Sequence, residues 1–236
     1  DLNGAILYIP GSFDSKSNKL IEPIYLPNGE KAVDIACLAE FFYVLSSTGK
    51  LYVSKKAKPS DISFKQIDEF QRINIVQISG ILAHILVLTE EGKVYSKGRN
   101  HFGQLGTGDK KDRLNKFYEI SSLNRYKIKY VSAGEASSLF LTTEGKILAC
   151  GDNISNQCFC ENKSKDTSIV LPNETKFQKG AEFCISSQDS AAVCIGYFPD
   201  MSPNRRIKDE INILLLGYEK KTQILQEFIN NKVENS

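Results

Sequence analysis

Short runs in which every position is apolar alternate with polar turns along most of the chain. The run Ile85-Leu86-Val87-Leu88 lies inside His84–Thr89, and a similar run lies inside Ser138–Thr142. A strand with apolar residues on both faces is typical of a sheet that is covered on both sides. The pattern therefore predicts buried strands between neighbouring sheets. Weaker strand signals flank the two runs, at Val76–Ser79, Lys93–Ser96 and Gly145–Ala149.

The two runs belong to a repeated unit. Moving the chain by 53 residues places Ile78–Leu105 on Val131–Cys158 without a gap, and 11 of these 28 positions are identical. Average amino-acid usage would give about two identities by chance. A third copy, Val33–Phe70, aligns at an offset of 43 residues and keeps the strand pattern, but it has Lys55 where the other copies have a glycine.

Repeat units cover most of the chain. We place them near residues 1–30, 33–70, 76–120, 131–172 and 183–196, within a repeat domain of residues 1–200. The first unit is expected to begin inside a repeat, because its opening residues resemble the Gly92–Gly98 segment. Residues 201–236 differ in pattern: they predict a strand at Ile211–Leu216 and an amphipathic helix at 222–231. They form either an appendage or the start of another domain.

A glycine-rich loop, Gly98–Gly108, follows the third predicted strand of the 76–120 unit. Glycine is favoured where the backbone needs a positive φ or a close approach. In the next copy Asn156 replaces one glycine, and asparagine also tolerates a positive φ. Phe159 and Glu161 replace two other glycines, which predicts that the tail of this loop changes shape. The predicted turn residues are Gly98, Asn100, Gly103, Gln104, Gly106, Gly108, Gly151, Asn153 and Gln157.

One sequence pattern identifies a family. It begins Ser132-Ala133-Gly134-x-x-Ser137-Ser138-Leu139-x-Leu141-Thr142-x-x-Gly145 and continues with Gly151-x-Asn153; the better copy adds Gly103-Gln104-Leu105-Gly106-x-Gly108. This pattern resembles the repeat of the regulator of chromosome condensation family, over about residues 1–196.

The resemblance implies an all-β fold, a β-propeller-like array of four-stranded blades around a central axis. Spacings of 43 to 53 residues with several short strands each also favour a propeller or another array that buries its core between neighbours. With four to five units, we expect a partial or small propeller with a short C-terminal strand-helix appendage. The glycine loop is then an architectural turn between strands.

Composition and charge exclude several classes of protein. Thirty basic residues against 28 acidic ones leave a net charge of +2, so binding to chromatin or nucleic acid is not expected. The six cysteines contain no Cys-x-x-Cys pair, and we expect buried, reduced thiols rather than zinc ligands or disulfides. No apolar run approaches the roughly 18 residues of a membrane span. We therefore predict an intracellular protein, cytoplasmic or nuclear, that does not bind membranes.

Catalytic chemistry is poorly supported. We expect His84 to be a packed, hydrogen-bonded residue and His101 to be solvated, and no Ser-His-Asp or Cys-His arrangement can be argued. The segment from Gly217 to Thr222 resembles a phosphate-binding loop, but it is two residues too short and lacks the second glycine. No catalytic residue, cofactor or metal site is predicted.

The leading functional prediction is a non-enzymatic interaction scaffold that binds a protein partner through propeller loops. The alternative, implied by the resemblance, is guanine-nucleotide exchange on a small GTPase. Charged residues around the glycine loop form either a solvated rim or part of the partner surface. The candidate partner-binding residues are Arg99, His101, Asp109, Lys110, Lys111 and Arg113.

Overall fold

The computed structural model describes residues 6–7, 23–55, 61–154, 157–160, 167–175, 181–186, 192–196 and 212–216. The predicted helix at 222–231 and the segment that resembles a phosphate-binding loop lie outside these residues, as do Asn156 and Glu161. Two short strands, β1 (Ile6–Leu7) and β2 (Pro23–Ile24), pair antiparallel at the beginning of this part.

The next twelve strands form three blades, each an antiparallel meander of four strands. Blade 1 contains β3 (Ala32–Leu38), β4 (Phe41–Ser46), β5 (Leu51–Lys55) and β6 (Lys65–Gln66). Blade 2 contains β7 (Ile75–Leu82), β8 (His84–Thr89), β9 (Val94–Gly98) and β10 (Arg113–Glu119). Blade 3 contains β11 (Ile128–Ala133), β12 (Ser137–Thr142), β13 (Ile147–Asp152) and β14 (Ser168–Glu174). The expected all-β, propeller-like array of four-stranded blades is confirmed.

Three further strands form a partial fourth blade. They are β15 (Ala181–Ser186), β16 (Ala192–Gly196) and β17 (Asn212–Leu216), and each pairs antiparallel with the next. The strand that the sequence analysis placed in the C-terminal appendage is β17. It therefore extends the sheet of the last repeat unit.

The hydrophobic core lies between successive blades. In β8, Ile85 and Val87 belong to the cluster shared with blade 1, whereas Leu86 and Leu88 belong to the cluster shared with blade 3. This division follows from the alternation of side chains along a strand. All four residues are at most 1% exposed, which confirms the prediction of a strand covered on both faces.

Polar side chains join the first strands of successive blades. The Asp34 carboxylate accepts a hydrogen bond from the Ile78 N–H at 3.1 Å. The Gln77 side chain, at the same repeat position one blade later, donates to the Val131 carbonyl at 3.0 Å and accepts from the Val131 N–H at 2.9 Å. The same repeat position thus supplies a polar side chain to the next blade at two successive junctions.

The meander places alternate connections on opposite sides of the blades. One side, here named the loop face, carries the turns between the first and second strands and the long loops between the third and fourth. In blade 2 these are the turn at Ala83 and residues 99–112. The other side carries tight hairpins such as 90–93 and the connections between blades, such as 120–127. The glycine loop therefore lies on the loop face.

Candidate interaction surface

A buried asparagine holds the glycine loop in shape. Asn100 is fully buried, and its Oδ1 accepts a hydrogen bond from the Leu105 N–H at 2.9 Å. Its Nδ2 donates to the Asp109 carbonyl oxygen at 2.8 Å and lies 3.3 Å from the Thr107 hydroxyl. One side chain thereby satisfies backbone groups on both sides of the turn, which explains why an amide is needed here.

The glycines of the loop allow a close approach to the next blade. Gly103, Gly106 and Gly108 all have positive φ, and a Cβ on Gly103 would lie 2.7 Å from Cα of Val170 in β14. A Cβ on Gly106 would lie 3.1 Å from the Pro172 ring. The Gly108 N–H also donates to the Val170 carbonyl at 2.9 Å. The glycine loop of blade 2 therefore packs directly against β14, the fourth strand of blade 3.

The second copy of the loop keeps the asparagine and changes its tail. The Asn153 Oδ1 accepts from the Cys158 N–H at 2.9 Å, as Asn100 does in the first copy. Phe159 replaces Gly106 but keeps a positive φ of 53°. The backbone therefore keeps the turn conformation at this position in spite of the substitution. Beyond it, the Asn153 amide donates to the Cys160 carbonyl at 3.0 Å, two residues earlier than in the first copy. The part of the loop that the asparagine bridges is therefore two residues shorter, in keeping with the predicted change in its tail.

A buried histidine connects the loop to both blades. His84 is fully buried, and its Nε2 lies 2.8 Å from the Ser138 hydroxyl of blade 3. That hydroxyl donates its proton to the Gln104 carbonyl at 2.7 Å, so Nε2–H must be the donor in the first bond. Burial lowers the pKa of His84 from 6.5 to about 4. The prediction of a packed, hydrogen-bonded histidine is confirmed.

Acidification is expected to weaken the fold through His84. The unfolded chain binds a proton at the ordinary pKa of 6.5, whereas the folded chain does so only near 4. The contribution of the neutral imidazole is therefore complete above pH 6.5 and is lost as the pH falls towards 4, up to roughly 3 kcal/mol. In urea unfolding at several pH values, the free energy of unfolding should fall less steeply with decreasing pH for His84→Gln than for the unchanged chain. The exposed His101→Gln is the control, and an equal slope in all three proteins would contradict the assignment.

The predicted partner-binding residues divide into two groups. Asp109 and Arg113 are used inside the loop, since the Arg113 guanidinium lies 2.6 Å from the Asp109 carboxylate. Although partial burial acts to raise the pKa of Asp109, the Lys111 N–H and Arg113 lower it below its usual value. Four other residues are exposed on the outer side of the loop: Arg99, His101, Lys110 and Lys111.

The sequence analysis did not single out Phe102, which is 43% exposed in the same loop as these basic side chains. An aromatic residue inside a glycine-rich turn, with no apolar strand position to occupy, is the signal that could have identified it. The outer side of the loop thus combines an aromatic ring with cationic side chains, with Asp112 lying 3.5 Å from His101.

Other chemistry is limited in the described part of the chain. No three His, Cys, Asp or Glu side chains lie there in a group that could hold a metal. Burial raises the pKa of the Cys150 and Cys158 thiols well above the usual value, and that of Cys160 to about 11. Cys37 is exposed on β3, so the expectation of buried thiols is wrong for this residue. Among the described helices, none has the length and apolar character that a membrane crossing requires.

Comparison with protein families finds one repeat. A family model described as regulator of chromosome condensation (RCC1) repeat matches residues 91–141. A second model with the same description matches residues 75–104 and 128–157. The matched residues contain the glycine loop, Asn100 and Asn153.

Curated relatives resemble a large part of the chain. It is 30% identical over 173 residues to the human X-linked retinitis pigmentosa GTPase regulator, which covers 72% of this chain and 16% of that protein. It is 27% identical over 158 residues to the guanine nucleotide exchange factor SRM1 of Saccharomyces cerevisiae, which covers 61% of this chain and 33% of that protein. The chain thus spans a third or less of these two relatives.

Solved structures agree with the fold. Human WBSCR16 superposes with a TM-score of 0.63 at 16% identity, covering 82% of this chain and 55% of that one. Prp20p from Saccharomyces cerevisiae, whose binding to Gsp1p and histones was studied with its structure, gives a TM-score of 0.56 at 21% identity, covering 77% and 47%. At these identities the likeness supports the fold alone.

Proposed function

Because the chain carries repeats of the regulator of chromosome condensation family, we propose that it is a non-enzymatic interaction module and that a protein partner binds its loop face. One observation carries this proposal. Asn100 and Asp109 bind polar groups inside the glycine loop, while the outer side of the loop exposes Phe102 and four side chains with basic groups.

The loop is well suited to recognition because its shape is set before a partner arrives. Internal hydrogen bonds hold one side, and three glycines hold the other side against β14. A preformed loop loses little conformational entropy on binding. Arginine and aromatic side chains are enriched in protein interfaces. The cations at Arg99, Lys110 and Lys111 favour a partner with an acidic surface.

Reversing three charges tests this surface. The combined variant Arg99→Glu, Lys110→Glu and Lys111→Glu is expected to weaken partner binding by roughly tenfold or more, chiefly through slower association at low salt. The measurement is quantitative affinity capture from cell extract, followed by binding kinetics with the captured protein. The matched control reverses Lys93, Lys127 and Lys129, which are exposed and lie in or next to the connections on the opposite side of the blades. Equal retention of every captured protein by both variants would contradict the proposal.

Guanine-nucleotide exchange on a small GTPase is the second candidate. It is favoured by two relatives, one named a GTPase regulator and one an exchange factor. The test is the release of labelled GDP from a panel of small GTPases with the chain present in substoichiometric amount. Accelerated release that the loop-face variant abolishes would support exchange through this surface. A flat response across the panel would remove this candidate and leave the interaction module in place.

The predicted location, cytoplasmic or nuclear, stays a prediction. The same is true of the expected absence of binding to membranes, which rests on the lack of a long apolar run, and to chromatin and nucleic acid, which rests on the near-neutral charge of the chain.

A further inference from the structure

One leucine on the loop face has a backbone conformation that leucine avoids. Leu82 and Ala83 form the turn between β7 and β8, which the pair of Ile81 and His84 closes. Leu82 has a φ of +52°, and the Ala83 N–H donates to the Ile81 carbonyl at 2.6 Å, the bond of a γ-turn. Two-residue hairpin turns with a positive φ at this position normally use glycine, asparagine or aspartate there. A leucine in this conformation is strained.

The repeat does not require this strain. The equivalent turn of blade 3 has Glu135 in the place of Leu82, and it is closed by a hydrogen bond from the Gly134 N–H to the Ser137 carbonyl at 2.8 Å. Glu135 does not have a positive φ. The same hairpin therefore closes in the next blade with an ordinary backbone. Strain that the fold does not impose is found most often at functional sites.

The side chain of Leu82 does not serve the core. It is 37% exposed, and it belongs to none of the hydrophobic clusters that the described residues form. The Leu82 carbonyl accepts a hydrogen bond from the Ala39 N–H of blade 1 at 2.8 Å, but a backbone carbonyl can make this bond whatever side chain is present. Core packing and hydrogen bonding thus leave unexplained why this position has leucine instead of glycine.

The strained turn borders the candidate partner surface. The Ala83 carbonyl accepts a hydrogen bond at 3.0 Å from the N–H of Arg99, the first of the exposed basic residues of the glycine loop. The corresponding turns of the neighbouring blades expose Glu40 in blade 1 and Glu135 in blade 3. Leu82 is therefore an exposed apolar side chain with a basic residue on the adjoining loop and acidic residues on the neighbouring turns.

We propose that Leu82 is the apolar anchor of the partner interface, an inference that rests on the proposed function of the loop face. The partner segment that fits has an apolar side chain over Leu82, an acidic side chain towards Arg99 and a basic side chain towards Glu40. Such an arrangement gives the apolar centre and polar rim that are typical of protein interfaces. The turn fixes the leucine before the partner arrives, so binding does not have to order it.

The test uses the full chain and the captured protein that the triple loop-face variant fails to retain. Leu82→Gly and Leu82→Ala should each raise the dissociation rate constant roughly tenfold and leave the association rate constant within about twofold, because loss of an apolar contact acts chiefly on dissociation. Leu82→Met keeps an apolar side chain of similar size and should bind nearly normally. The matched control is Val76→Ala, a residue that is 50% exposed at the other end of β7, and it should bind like the unchanged chain.

Thermal unfolding separates an interface role from a structural one. Glycine adopts a positive φ without strain, so the unfolding midpoint of Leu82→Gly should equal that of the unchanged chain or exceed it by up to roughly 4 °C. Leu82→Ala removes the side chain but keeps the strain, and its midpoint should lie below that of Leu82→Gly. Weaker binding without loss of stability is the signature expected of a residue that is strained for the sake of a partner.

Several outcomes would overturn the proposal. Normal dissociation of Leu82→Gly from a protein that the triple variant no longer retains would remove Leu82 from the interface and leave the proposed loop-face interaction in place. A midpoint of Leu82→Gly lowered by more than about 4 °C would assign the leucine to the fold. Equally faster dissociation of Val76→Ala would show that the effect is not specific to the turn. If no protein depends on the loop face for its retention, the proposed function itself fails, and this inference fails with it.

Discussion

Replacing Gly98 with alanine is expected to lower the free energy of unfolding by about 4 kcal/mol. Gly98 has a φ of +129°, and a Cβ there would lie 2.6 Å from Cα of His84 and closer still to the Ala83 carbonyl oxygen. That carbonyl also accepts the hydrogen bond of the Arg99 N–H at 3.0 Å. Both atoms that the new Cβ would meet belong to the backbone, so the clash could be relieved only if β8 moved out of the core. Gly151→Ala should behave alike, since its Cβ would lie 2.6 Å from Cα of Ser137.

Urea unfolding monitored by circular dichroism measures this loss. Gly29→Ala is the matched control, because Gly29 also has a positive φ, of 70°, but a Cβ there meets no heavy atom within 4 Å. Gly29→Ala should lower the free energy of unfolding only by the strain of a positive φ in alanine, about 1 kcal/mol. Similar losses for Gly98→Ala and Gly29→Ala would show that the close approach of β9 to the Ala83 turn does not limit the fold.

Changing Asn100 to aspartate is expected to cost about 4 kcal/mol, although the two side chains have nearly the same shape. The new oxygen would replace Nδ2, which now donates to the Asp109 carbonyl at 2.8 Å and lies 3.3 Å from the Asp109 carboxylate. An acceptor would then face two acceptors, and a negative charge would be buried beside another. The bond from the Leu105 N–H would remain possible, so the loss isolates the role of the amide donor.

The exposed Asn115 offers a control for this substitution. Asn115→Asp adds the same charge to blade 2 in contact with solvent, and its effect should stay within about 0.5 kcal/mol. Thermal unfolding and protection of the Leu105 amide against hydrogen exchange are the two measurements. A stable Asn100→Asp with an unchanged Leu105 amide would rule out Asn100 as the organiser of the glycine loop.

The glycine loop and its flanking strands could be predicted from the sequence because they depend on residues that are close together in the chain. An apolar run such as Ile85–Leu88 needs cover on both faces whatever surrounds it. Glycines at positions 98, 103, 106 and 108 indicate backbone conformations that other residues avoid. The repeat of 53 residues then extended both conclusions to blade 3. Within the candidate site, the same reasoning predicted the turn residues and the partner-binding role of the cationic side chains.

The outer strands β10 and β14 were not predicted. Both are interrupted in their pairing with the strand before them, and most positions of β10 are exposed or only partly buried, so neither shows a clear alternation. The separate roles of Asp109 and Arg113 were also missed, because charge alone does not reveal whether a side chain turns inward or outward. The positive φ of Phe159 is a third example, since only the surrounding loop imposes it.

The sequence by itself determined that this is an all-β repeat protein, where its central strands lie and which loop turns on glycine, because periodicity and φ preference act over a few residues. Only the tertiary structure decided that the glycine loop of one blade packs against the next blade and that His84 joins two blades. Those features depend on residues more than 30 positions apart. Their contacts follow from how the blades pack, and packing between blades is not encoded in any single stretch of the chain.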